Sequence, residues 1–196
     1  GDARSRPARF RQIAGELAGD DRFLLSRNER RLGVYRNFER ALELVPEDAA
    51  FVALCDQDYR WYPEKLESLR RAIGGSQLVY SDERIISREG NVLADTYWTD
   101  RPNNHTNLLS LLIANTITGA ASLMRREVVQ LALPFPDVPS EQYHDHWLGL
   151  VAMTSGEVAY VDRPLYDYVQ HAGAALGHAK ANTRADRPGR ARKLIG

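Results

Sequence analysis

Residues 51–67 read FVALCDQDYRWYPEKLE, and the fold follows from how this stretch is divided. The apolar run Phe51-Val52-Ala53-Leu54-Cys55 suits a strand buried on both faces, as in a parallel sheet. It stops at two acids, Asp56 and Asp58, separated by Gln57. Pro63 fits the first turn of a helix, and Leu66, Leu69 and Ile73 follow at helical spacing, so the acids occupy a strand-to-helix loop. In open α/β sheets, ligands bind beyond the carboxyl ends of the strands. Two carboxylates this close repel each other unless a cation lies between them, and hard divalent ions prefer oxygen ligands. The pair therefore reads either as a metal site or as turn formers and caps, a common use of Asp.

Upstream, Phe10, Ile13, Ala14 and Leu17 share a face and predict a helix over residues 7–18. Residues 22–26 (RFLLS) predict a short strand, and Phe38, Leu42 and Val45 predict a helix over residues 34–45. Helix, strand, helix, strand is the alternation of an α/β fold, a mostly parallel sheet flanked by crossover helices. A chain that opens on a crossover helix has no strand for that helix to cross from. A first strand-helix-strand portion is therefore expected to be absent, leaving a gap beside residues 51–55.

Downstream, residues 77–98 carry strand-like runs around the turn signal Glu89-Gly90-Asn91 and predict a hairpin. Asn103-Asn104-His105-Thr106 is read as the cap of a helix through Leu108, Leu109, Leu111, Leu112 and Ile113, an apolar cluster expected in the core. Residues 116–124 read as a loop entering a strand, in which Gly119 is either a plain turn residue or a point of close backbone approach to a ligand. A helix over residues 141–154, with Trp147, Leu148, Val151 and Ala152 inward, puts His144-Asp145-His146 in its first turn. Residues 157–161 and 164–171 predict two further extended pieces. Few large apolar residues follow, and residues 179–196 read as a basic tail, solvated or drawn to an anionic membrane surface.

The bulk properties narrow the classes. The 26 basic and 26 acidic residues balance, so no overall field attracts nucleic acid. The single cysteine, Cys55, excludes an intrachain disulfide, fits a reducing compartment and is expected to serve as a small core residue. No apolar run is long enough to span a membrane, and GDARSRPARF lacks the apolar core of a signal peptide.

Three polar clusters stand at the ends of predicted core elements: Asp56 with Asp58, His144-Asp145-His146, and His171. Each alone has an ordinary structural use, as a cap or a hydrogen-bonded surface residue. A zinc site is disfavoured, because the His-Asp-His spacing is not a structural-zinc signature and one cysteine supplies no thiolate cluster.

In this order the motifs DQDYRWYPEKLE, preceded by SRNERRLGVYRNFERAL and followed by NTITGAASLMRR, HDHWLGLVAMTSGEVAYVDRPLYDYVQH and LGH, resemble family 2 nucleotide-sugar glycosyltransferases with the GT-A fold. The similarity covers residues 22–178 and is greatest to bacterial rhamnosyltransferase-like members. It implies a partial GT-A domain over residues 1–178 that lacks its first strand-helix-strand portion. It also implies transfer from a nucleotide-sugar donor to a glycan or lipid-linked acceptor by a metal-dependent inverting mechanism. Asp56 and Asp58 match the DxD motif, with Asp58 implied to ligate Mg²⁺ or Mn²⁺ and Asp56 to contact the donor. Asp145 matches the general base, His171 a second metal or diphosphate ligand, Trp61 a position near the donor pocket, and Gly119 and Ala120 the loop where sugar and acceptor meet. Asp2 matches the surviving acid of an N-terminal donor-binding turn.

The chain departs from the pattern at Tyr59, where many relatives carry another acid, and before His171, where the usual Arg is replaced in Tyr168-Val169-Gln170. With its nucleotide-binding portion missing, the chain alone is expected to bind nucleotide-sugar weakly, with a second copy or another segment covering the incomplete sheet. The resemblance places the protein in the cytoplasm, at or near the inner face of the membrane. Two other classes compete: a noncatalytic carbohydrate-binding or assembly module on the same fold, and a nucleotidyltransferase, which would give the His-Asp-His cluster no role. A protonated imidazole beside Asp145 would weaken it as a base, so His144 and His146 are expected to point away or stay neutral.

Overall fold

The computed structural model describes residues 7–56, 59–97, 103–137 and 143–170. Asp2, Asp58, His171 and the basic tail lie outside the described residues. Helix α1 (Pro7–Glu16) is followed by α2 (Gly33–Leu42), which turns Phe38 and Leu42 into the core. The strand expected at residues 22–26 does not form. Phe23, Leu24 and Leu25 are exposed, and no described strand pairs with them; an extended segment needs a neighbour to take its backbone groups.

Strand β1 (Phe51–Ala53) is shorter than its apolar run. Val52 and Leu54 are buried, but the chain leaves the sheet after Ala53, and Cys55 is exposed rather than a core residue. Its thiol donates to the backbone carbonyl of Asp56 at 3.2 Å. A strand missed from sequence, β2 (Tyr59–Trp61), follows the acids and pairs antiparallel with a later strand. Three residues of alternating apolar and charged character carry too weak a signal to be read alone. Helix α3 (Lys65–Ala72) then buries Leu69.

The expected hairpin is present. β3 (Leu78–Ile86) and β4 (Val92–Ala94) pair antiparallel around a turn in which Gly90 adopts φ 91°. Helix α4 (Leu108–Ile113) is capped by Asn107, whose side chain accepts from the Ser110 amide, and not by the Asn103-Asn104 pair. Only Leu111 of its apolar cluster is buried; Leu109, Leu112 and Ile113 are 73%, 52% and 88% exposed. Six residues make fewer than two turns, so a single position faces the core.

A 3₁₀ turn (Gly119–Ala121) leads into β5 (Ser122–Arg125), then α5 (Arg126–Ala132), α6 (His144–Ser155) and β6 (Val158–Val169). The two extended pieces expected near the end are thus one strand of 12 residues, which absorbs Pro164 at an irregularity opposite Asp82.

The strands run in the order β1-β5-β3-β6-β2, with β4 added to β3. The sheet is mixed rather than mostly parallel: of the described pairs only β3 with β6 is parallel. Helical crossovers do not link all the strands, since a hairpin and the loop after α4 return the chain in the opposite direction. Among the described residues, β1 is an edge strand.

Alternate residues serve the two faces. Leu78, Tyr80, Met124 and Tyr166 pack in one core with Leu42, Leu111, Val128, Leu148 and Val151, while Val79, Leu123 and Leu165 pack with Leu69 and Ile73 in the other. The result is an α/β fold with helices on both sides of a curled sheet. Its directions determine where the chemistry gathers. β5 runs against β1 with Ala53 opposite Leu123, so Asp56, just after β1, and the turn just before β5 lie at the same end. α6 precedes β6, which is parallel to β3 and so to β1, and its first turn therefore also reaches that end.

Candidate active site

Asp145, in the first turn of α6, lies at that end. The residue is half-buried, and its Oδ1 accepts from the His146 amide at 2.7 Å and from Asn115 Nδ2 at 3.2 Å, while Oδ2 accepts from the Gly119 amide at 3.4 Å. Burial raises its pKa to about 6, against the pull of the Gly119 and His146 hydrogen bonds, and the charge of Asp56 adds to the rise. Asp56 thus stands close enough to Asp145 to act on it electrostatically. A carboxylate with this pKa is mostly ionised at neutral pH yet more basic than an ordinary Asp.

Asn115 is a partner that sequence reading missed. Its amide nitrogen also bonds the Ile117 carbonyl at 2.8 Å, and its carbonyl oxygen accepts from the Ile117 amide at 2.9 Å, so it pins the loop and points Nδ2 at Asp145. An Asn directly after a helix normally signals only a cap or turn.

Both histidine rings turn to other neighbours, although the charge of His146 also acts to lower the Asp145 pKa. His144 stacks on Phe38 with ring centroids 3.6 Å apart, and burial lowers its pKa to about 3, so it is neutral. Both its ring nitrogens are buried without hydrogen-bond partners. His146 turns its Nε2 to the Leu111 carbonyl at 2.7 Å, which ties α6 to α4. Gly119 is more than a plain turn residue. A Cβ there would lie 2.7 Å from His144 Nε2 and 3.3 Å from Asp145 Cβ. The glycine allows the turn to close on the first turn of α6.

Trp61, in β2, is half-buried, with its indole Nε1 buried and unpartnered. Ala120 is buried, and its carbonyl accepts from Lys65, a residue that sequence reading left in the helix without a role. Tyr59 pairs with Tyr168 across the sheet and packs its ring edge-on against Tyr166, with centroids 5.1 Å apart, so it is committed to the fold. Among the described residues no three His, Cys, Asp or Glu side chains converge as a metal site. The residues expected to ligate metal, Asp58 and His171, lie outside them.

The glycosyl transferase family 2 model matches residues 2–131, and the chain belongs to that family. No curated protein matches the sequence. Among solved structures, the S. aureus TarS 1–349 complex with UDP-GlcNAc is similar at a TM-score of 0.59 and 15% identity, over 83% of this chain and 46% of that one. TarS 1–349 in a second crystal structure gives 0.56 and 15%, over 81% and 47%. At this identity the likeness is one of fold, and the chain spans about half the length of these relatives. No helix among the described residues is long and apolar enough to cross a membrane.

Proposed function

We propose that this chain transfers a sugar from a nucleotide-activated donor to a glycan or lipid-linked acceptor, with inversion, and that Asp145 is the general base. The observation that carries this reading is the convergence of Asp56, the Gly119 turn and a raised-pKa Asp145 at one end of the sheet. An acceptor hydroxyl that loses its proton to Asp145 as it attacks the anomeric carbon needs no covalent intermediate. On this reading Asp56, Asp58, Trp61 and Asp2 bind the donor, and Gly119 and Ala120 border the space where sugar and acceptor meet. The unpartnered Trp61 Nε1 supplies a donor that a bound ligand would satisfy.

The acid loop suits a divalent cation, because Asp56, within electrostatic reach of the site, offers the hard carboxylate oxygen such an ion prefers. Asp58 and His171 would hold Mg²⁺ or Mn²⁺, which when bound stabilises the charge on the departing diphosphate. The motif order supports the bacterial rhamnosyltransferase-like branch and a role in cell-envelope polysaccharide synthesis at the cytoplasmic side of the membrane. The TarS complex supports a sugar nucleotide as the donor class.

The test is Mn²⁺-dependent binding and turnover of a nucleotide-sugar panel by the full-length protein, beside Asp58→Ala. The expected result is turnover of at least one donor, with metal-dependent binding weakened more than tenfold in the variant. Metal-independent binding of glycans without turnover would favour the second reading, a noncatalytic carbohydrate-binding module. Tyr59 supports that second reading, because a tyrosine stands where another acid is usual.

A further inference from the structure

Lys65 is the first residue of α3 and has no solvent-exposed surface. Burying an ammonium is costly unless its protons and charge are met by partners. Among the described residues no carboxylate lies within ion-pairing distance of it. Instead Nζ donates to the backbone carbonyl of Ala120 and sits 4.0 Å from the centre of the Trp61 ring and 4.4 Å from that of Tyr166. Two aromatic faces and one carbonyl make a cation box. The box is itself braced: the Tyr166 hydroxyl donates to the buried Glu83 of β3, and Trp61 and Tyr166 are register partners across β2 and β6.

The position of the box matters more than its contents. Lys65 follows the acid loop in sequence, and the carbonyl it holds belongs to the 3₁₀ turn whose Gly119 amide bonds Asp145. It therefore joins the donor-side elements β2 and α3 to the turn that carries the hydrogen bond to the base. A fold needing only an apolar plug here would be served by Leu or Met at lower desolvation cost. We propose that Lys65 is a positioning residue for glycosyl transfer, a buried tether that fixes the Gly119–Ala121 turn against Asp145. Burial lowers its pKa to about 7, partly offset by Cys55 and Glu83, so the tether is tightest while the ammonium keeps its proton.

The proposal rests on the glycosyltransferase reading, and its test separates the two. Lys65→Met keeps most of the side-chain volume and removes the donor and the charge. With the full-length protein and a turned-over donor, kcat should fall at least 30-fold while donor KM changes less than threefold. The acid limb of the pH profile should move to higher pH, because loss of the Gly119 hydrogen bond removes an interaction that lowers the Asp145 pKa. Lys65→Arg, which keeps a donor and a cation, should recover part of kcat.

Amide exchange of Gly119 and Ala121 supplies a readout independent of activity and should accelerate at least tenfold in Lys65→Met. Unchanged exchange, or a kcat within twofold of wild type, would overturn the tether. A wild-type protein that turns over no donor would remove the glycosyltransferase reading, with exchange still deciding whether the tether exists. If Lys65→Met does not fold, Lys65→Gln takes its place. Failure of both to fold would assign Lys65 to stability alone and overturn the positioning role.

Discussion

Replacing Asp145 with Asn should abolish transfer and stabilise the fold. Removal of a positioned general base costs about 10²–10⁴ in rate, and a fall of about 10³ in kcat with donor affinity within threefold is expected. The stability change follows from the sign of the pKa shift. Burial holds the folded-state pKa near 6, above the ordinary carboxylate value, so the group favours folding when protonated. That contribution is fully present below the unfolded pKa and is lost as pH rises through about 6, so at pH 7 the ionised carboxylate opposes folding.

Asn is never ionised and avoids this opposition. Its amide nitrogen, however, cannot accept as both carboxylate oxygens do from His146, Asn115 and Gly119. The net expectation is a gain of about 1 kcal/mol at pH 7, a few degrees in Tm for a chain of this size. Thermal unfolding at pH 7 and at pH 4.5 checks it, since the advantage of Asn should shrink at the lower pH. A variant that loses both activity and stability would instead mark Asp145 as a structural cap.

Gly119→Ala should damage the site from the other side. The new methyl would stand 2.7 Å from His144 Nε2 and 3.3 Å from Asp145 Cβ. The imidazole cannot simply retreat, because Phe38 is stacked on its face at 3.6 Å. Overpacking of this kind costs about 1–3 kcal/mol, and an ångström of displacement at a base can cost about 10² in rate. Gly75→Ala is the control, since a Cβ there meets nothing within 4 Å and its stability should change by less than about 0.5 kcal/mol. Urea unfolding and kcat measured on both variants test the contrast; equal behaviour would mean that the turn does not press on α6.

The elements legible in the sequence were those whose patterns are local. Phe38 and Leu42 marked α2, the Gly90 turn marked the β3–β4 hairpin, and Trp147, Leu148 and Val151 marked α6 and put Asp145 in its first turn. What depends on partners was not legible. Residues 22–26 have strand composition but no strand to pair with, and Cys55 has core chemistry but lies past the last ladder pair of β1. Pro164 suggested a break where β6 continues through an irregularity.

Within the site, the acids and Gly119 announced themselves by residue type. Asn115 and Lys65 did not, because an Asn after a helix and a Lys at a helix start are ordinary surface residues until the sheet order brings one to Asp145 and buries the other under Ala120. The same holds for Leu109, Leu112 and Ile113, whose apolar character suggested core when the short α4 has room to bury only Leu111.

The pH dependence of kcat at saturating donor, measured on the full-length protein from pH 4.5 to 8.5, tests the central claim most directly. With Asp145 as the base, kcat should rise about tenfold per pH unit at the acid end, bend near pH 6 and level off above about 7. A profile flat through pH 5–7, or a bend that persists unchanged in Asp145→Asn, would contradict it.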